Sequence, residues 1–173
     1  AQASFRQAFL RRLLMLPHLK TTRCRSQMIK LARIIQLINA GAAATKMMSD
    51  TMEYADKVGM PSVDIPAVLG SKTNHEIDPP DGSNKWTTGA LMHYALGSVI
   101  FPLAYETVYK KVSLCPKTIK PLTWGLLLWA GGAFVFMPII GKDRFKKKSI
   151  LTTYLAGHIV YGATFSALSK EKG

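Results

Sequence analysis

Charged and apolar positions are segregated along this chain. Trp86–Tyr105 is a run of 20 residues without Asp, Glu, Lys or Arg; Pro121–Gly141 and Ser149–Ser169 are runs of 21. As helices these runs measure about 30 Å, at roughly 1.5 Å per residue, which matches the hydrocarbon thickness of a bilayer. A shorter uncharged window, Ile34–Thr45, becomes span-like when extended to Leu31–Ser49, with Arg33 and Lys46 reaching toward opposite interfaces. The pattern predicts an all-α fold, an integral membrane four-helix bundle with spans at about 31–49, 86–107, 121–141 and 149–169. In that frame Asn39 sits mid-span and needs a partner, while the small run Gly41–Ala44 suits close packing against another helix.

The connection 50–85 carries most of the acids. Ser49–Gly59 reads as a short separate helix, with Asp50 and Glu53 in its first turn and Gly59 at its end. Met60–Gly70 reads as an extended turn or a half-buried interfacial helix, and Asp78–Gly82, with its two prolines, as a rigid turn. Pro102 is expected to kink the second span and Pro138 to bend or end the third. Trp86, Tyr105, Tyr109 and Trp124 fall near span ends, as in aromatic belts, whereas Trp129 is placed to pack.

Charge changes this picture by its distribution. The net charge of +13 over 173 residues, with 48% hydrophobic residues, fits a basic soluble domain as well as a membrane protein. It excludes an acidic disordered chain, a disulfide scaffold and a multi-domain enzyme. The +13 resolves into blocks: nine basic residues and no acid over 1–49, a balance of −5 over 50–81, and +9 over 82–173. A domain division follows, with a basic arm at 1–28 and a membrane domain at 29–173 that holds the acidic loop 50–85. The arm is Arg-rich, with Phe5, Phe9, Leu13 and Leu16 near helical spacing, and resembles a mitochondrial presequence or its remnant. The expected location is therefore the mitochondrial inner membrane. A bacterial inner membrane, with the arm as a cytoplasmic tail, or a plastid membrane is the alternative. Nucleic acid is not an expected partner, because the arm leads straight into an apolar segment without a reading fold. Counting basic residues places the N-terminus on the matrix or cytoplasmic side, 14 against about nine. The patch Lys142, Arg144, Lys146, Lys147 and Lys148 opposes that count; it is either a cardiolipin or partner contact or a solvated flank. Cys24 and Cys115 stand alone, without metal-ligand spacing, so no metal site is expected.

Two intramembrane histidines are the most specific chemical feature. The second span reads Gly89-x3-His93-x3-Gly97 and the fourth Tyr154-x3-His158-x3-Gly162, so each set shares one helical face. The parallel placement puts both imidazoles about 11 Å below the same interface. One reading is structural: neutral histidines bonded between helices, with glycines for close approach. The other is cofactor binding, with His93 and His158 ligating a b-type haem for which the glycines make room, or contacting a quinone or relaying protons.

The strings GMPSVDIPAVLG (59–70), ALMHYALGSVIFPLAYETVY (90–109), GLLLWAGGAFVFMPIIG (125–141) and LAGHIVYGATFSAL (155–168) together resemble a family of small bacterial four-span inner-membrane proteins without an assigned activity. The resemblance covers about 31–168 and includes Met60, Pro61, Asp64, His93, Gly97, Trp129, Pro138, Gly141, Gly157, His158, Tyr161 and Gly162. It implies a four-helix membrane fold and no activity. The arm 1–28, the polar insert Ser71–Lys85 and the patch 142–148 depart from it. Such additions are what a recruited organellar subunit needs to touch neighbours, an argument by analogy alone.

Without a nucleophile–base pair, a metal cluster or a phosphate loop, catalysis is not expected. The leading functional expectation is a non-catalytic accessory subunit of a respiratory-chain or ATP-synthase assembly, in contact with other subunits and anionic lipid such as cardiolipin. The alternative is a small membrane redox or transport protein that uses His93 and His158.

Overall fold

The computed structural model describes residues 22–73, 83–112, 116, 119–140 and 148–170, and every element among them is helical. Most of the basic arm, much of the polar insert and Lys142–Lys147 lie outside these residues, and neither cysteine side chain is described. The chain divides into two compact units, 1–35 and 36–173. Of the first, the described part is the start of helix α1. The packing described below belongs to the second.

Helix α1 runs unbroken from Thr22 to Lys57. The separate helix expected at Ser49–Gly59 is therefore its continuation, and Asp50–Lys57 is not loop. One buried stripe explains this: Leu37, Ala40, Ala44, Met48, Met52 and Ala55 recur every three or four residues with no breaker among them. The i,i+4 pairs Lys46–Asp50 (2.9 Å) and Glu53–Lys57 (2.6 Å) lie on the solvent side. Gly59, at φ +77°, ends the helix as expected. The Met60 N–H bonds the Ala55 carbonyl, and the Gly59 N–H bonds that of Asp56, both at 2.9 Å.

Residues 60–64 are the expected extended turn, and the helix expected with it follows as α2 (Ile65–Thr73). Asp64 caps it, its Oδ1 accepting the Ala67 N–H at 2.9 Å. Pro66 sits in the first turn, where its missing N–H costs nothing. Val63, Ile65, Val68 and Leu69 are buried, and α2 lies along α3 (Ser83–Ala95).

The two proline-bearing spans share one construction. After α3 comes a π-helical turn, Leu96–Ile100, and then α4 (Phe101–Thr107) with Pro102 at its second position. After α5 (Lys120–Gly131) comes a π turn, Gly132–Phe136, and then α6 (Met137–Ile140) with Pro138 at its second position. In both, the π turn starts six residues before the proline. A single wide turn loosens the carbonyl ladder ahead of the missing N–H. The chain thus stays helical through Pro102 and Pro138.

A single α-helix, α7 (Lys148–Ser169), completes the unit. It buries Thr153, Tyr154, Gly157, His158, Tyr161, Gly162 and Phe165 along one stripe. At its crossing with α5, a Cβ on Gly125 would meet the His158 carbonyl oxygen at 2.5 Å and the Gly162 Cα at 3.0 Å. The core joins Leu37, Tyr105, Tyr109, Tyr161 and Phe165. Trp124, expected at an interface, packs inward with its ring centroid 5.1 Å from Tyr109 and 6.2 Å from Tyr105. Trp129 does pack, its Nε1 donating to the Leu151 carbonyl at 3.3 Å. Lys120, one residue ahead of the expected third span, is buried and donates to the carbonyls of Lys110 (2.8 Å) and Val112 (2.6 Å). Among the described residues no helix is long and apolar enough to cross a membrane. The π turns divide two of the expected spans into shorter helices.

Candidate functional site

The two histidines meet on the wall of one cavity of about 390 Å³. Helix α1 contributes Thr45, α3 contributes His93, α5 contributes Leu128 and Gly131, and α7 contributes Tyr154, His158 and Tyr161. The α7 residues stand at i, i+4 and i+7, so helical periodicity alone brings them to one face. Most of the lining is apolar, and its polar atoms are few.

Four of the polar side-chain atoms around the cavity have protein partners. The His158 Nδ1 lies 3.0 Å from the Tyr154 carbonyl. A carbonyl only accepts, so Nδ1 carries the proton and, in the neutral ring, Nε2 keeps the lone pair. The ring stands edge-on to Tyr154, with centroids 4.3 Å apart. His93 takes a different partner: its Nε2 lies 3.2 Å from Ser49 Oγ on α1. The Thr45 hydroxyl donates to the Gly41 carbonyl at 2.8 Å, and the Tyr161 hydroxyl donates to the Gly97 carbonyl at 2.9 Å.

His93 also faces a second cavity, of about 610 Å³ and more polar, bounded by Ser49, Glu53, Asp56, Ser62 and Asp64. Glu53, Asp56 and Asp64, acids of the expected connection 50–85, therefore gather beside His93, because α1 extends to Lys57 and α2 folds back along α3. Lys57 is held above its ordinary pKa by its hydrogen bond to Glu53 and by that group's charge.

The glycines flanking the histidines are already occupied by packing. Gly97 lies against the Thr45 side chain, Gly162 against the backbone of Leu122 and Pro121, and Gly89 against the Pro66 carbonyl. They make close helix crossings. Among the described residues no group of three or more His, Cys, Asp or Glu is placed to hold a metal ion. Of the basic patch, Lys142, Arg144, Lys146 and Lys147 lie outside the described residues, and Lys148 opens α7 with its side chain exposed.

Sequence reasoning found His93, His158 and Tyr154 and missed Thr45, Ser49, Gly131 and the bonding role of Tyr161. The signal for Tyr161 was present, since it lies three residues after His158 on the same face. Nothing local marks Thr45 or Ser49, which matter only through α1 packing on α3.

No curated protein matches the chain, and neither does any solved structure. One family does match, over residues 31–171, nearly the stretch on which the sequence resemblance rests. The chain belongs to this family of unknown function, DUF6789.

Proposed function

We propose that the chain is a four-span inner-membrane protein, related to small bacterial four-span proteins and acting as a non-catalytic accessory subunit of a mitochondrial respiratory-chain or ATP-synthase assembly. The observation that carries this reading is the outer face of the helices. Leu91 and Ile139 are 72% exposed, Phe134 and Val135 63%, with Ile100 and Leu127 about half exposed. Large apolar side chains left this exposed support contact with lipid or protein. The helical runs 83–107 and 120–140, counted through their π turns, reach roughly 35 Å and 30 Å, the scale of a bilayer core.

The accessory role rests on polar groups that look outward. Asn39 is exposed on α1, four residues after exposed Ile35, so its partner lies beyond this chain if that face is apolar-solvated. The patch Lys142, Arg144, Lys146, Lys147 and Lys148 supplies charge for cardiolipin or an acidic neighbour. Alkaline extraction of native membranes, followed by native electrophoresis in mild detergent, tests both parts. The expected result is retention in the membrane pellet and migration with a large complex. Release by alkali counts against the spans, and migration as a lone monomer counts against the subunit role.

A further inference from the structure

The cavity between α1, α3, α5 and α7 presents an imidazole nitrogen whose lone pair no described residue takes up. Thr45, Tyr161 and the Nδ1 of His158 each donate to a backbone carbonyl. The Nε2 of His158 makes no hydrogen bond to any described residue, although the residue is only 5% exposed. An acceptor facing an apolar chamber favours a ligand that brings a donor. The volume, about 390 Å³, lies within the roughly 300–1,000 Å³ of small-molecule sites. Leu127, Val135 and Phe136 line the cavity and are also exposed outside, so its mouth opens on the apolar face. Gly131 leaves open space at this wall, where an added Cβ meets nothing within 4 Å.

We infer that this cavity binds an apolar ring molecule carrying a hydroxyl, the chemistry shared by lipid-soluble quinols and sterols, with the O–H donating to Nε2 of His158. The hydrocarbon body lies against Leu96, Phe101 and Leu128, and its remainder leaves past Val135 and Phe136. Lateral entry from lipid rests on the membrane reading proposed above. The tautomer sets the selectivity. The Tyr154 carbonyl holds the proton on Nδ1, so Nε2 accepts from a hydroxyl and has nothing to offer a carbonyl. The reduced quinol is therefore bound in preference to its quinone, and a sterol in preference to its 3-ketone.

The test uses the full chain in detergent micelles, titrated with a short-chain benzoquinol and its quinone, and with cholesterol and its 3-ketone. The expected result is saturable binding of a hydroxyl probe, roughly tenfold weaker for its carbonyl counterpart and weakened roughly tenfold by His158→Phe, as loss of one buried hydrogen bond implies. Gly131→Leu, which fills the open wall, abolishes binding without lowering the melting temperature. Whichever hydroxyl probe binds more tightly identifies the source. Equal binding of hydroxyl and carbonyl probes overturns the inference, as does unchanged binding in Gly131→Leu or no saturation by either hydroxyl probe. If His158→Phe melts early, Gly131→Leu decides between binding and no binding at this cavity. Alkaline extraction is scored separately: a chain released by alkali that still binds keeps the site and loses the spans, and a membrane-held chain that binds nothing loses the site.

Discussion

The Tyr161 hydroxyl donates to the Gly97 carbonyl at 2.9 Å, and Pro102 is the reason that this carbonyl is open. In the π turn the Phe101 N–H reaches back five residues to the Leu96 carbonyl. The next carbonyl, that of Gly97, faces position 102, where proline has no N–H. A side chain from α7 supplies the missing donor, so the proline on one helix and the tyrosine on another form one unit. Tyr161→Phe leaves a buried carbonyl without its partner and is expected to cost about 1–3 kcal/mol. Pro102→Ala restores an N–H at that position, so adding Tyr161→Phe to it is expected to cost less than Tyr161→Phe alone. Thermal unfolding of the four-member cycle measures the coupling; simple additivity would disprove the link.

The α5–α7 crossing and the cavity wall predict opposite outcomes for the same substitution. Gly125→Ala drives a methyl into the His158 carbonyl and the Gly162 backbone, which cannot move aside as a flexible side chain would. It is expected to destabilise by about 2 kcal/mol or more. Gly131→Ala enters open space on a helix and is expected to stabilise by up to about 1 kcal/mol through helix propensity. Melting temperatures of the two variants, falling and rising respectively, check the pair.

Lys120 predicts a local effect. Its ammonium ties the carbonyls of Lys110 and Val112 to the start of α5. Lys120→Met keeps the length and apolar stem but removes the donors, leaving two carbonyls unanswered and costing about 1–3 kcal/mol. Hydrogen exchange is expected to quicken over Tyr109–Val112 before it quickens in α7. Uniform loss of protection would point instead to general destabilisation.

The ends of α1 and α2 give a conservative contrast. Asp64→Ala removes the cap on α2 and is expected to cost about 1 kcal/mol, whereas Asp64→Asn, which keeps an acceptor, costs less. Gly59→Ala places a side chain at φ +77° and is expected to cost about 1 kcal/mol through backbone strain. Chemical denaturation of the three variants orders them; equal stability of the alanine and asparagine forms at 64 would argue against the cap.

The chain's periodicities and breakers determined that it is helical, where the four long helical runs lie and that Gly59 ends one of them. Those properties depend on residues three or four apart, which a sequence displays directly. Its charge windows also raised the membrane reading, which no single helix among the described residues meets by length and apolarity. Tertiary structure decided the rest. Whether Ser49–Lys57 is a new helix or more of α1 depended on a stripe that finds its cover in α2 and α7. Whether the carbonyl that Pro102 orphans finds a donor depended on a hydroxyl 59 residues away in sequence, that of Tyr161. Whether the glycines beside the histidines frame a cofactor or a crossing depended on which backbone approached them. Each of these answers is set by contacts between distant segments, and such contacts leave no local period to read.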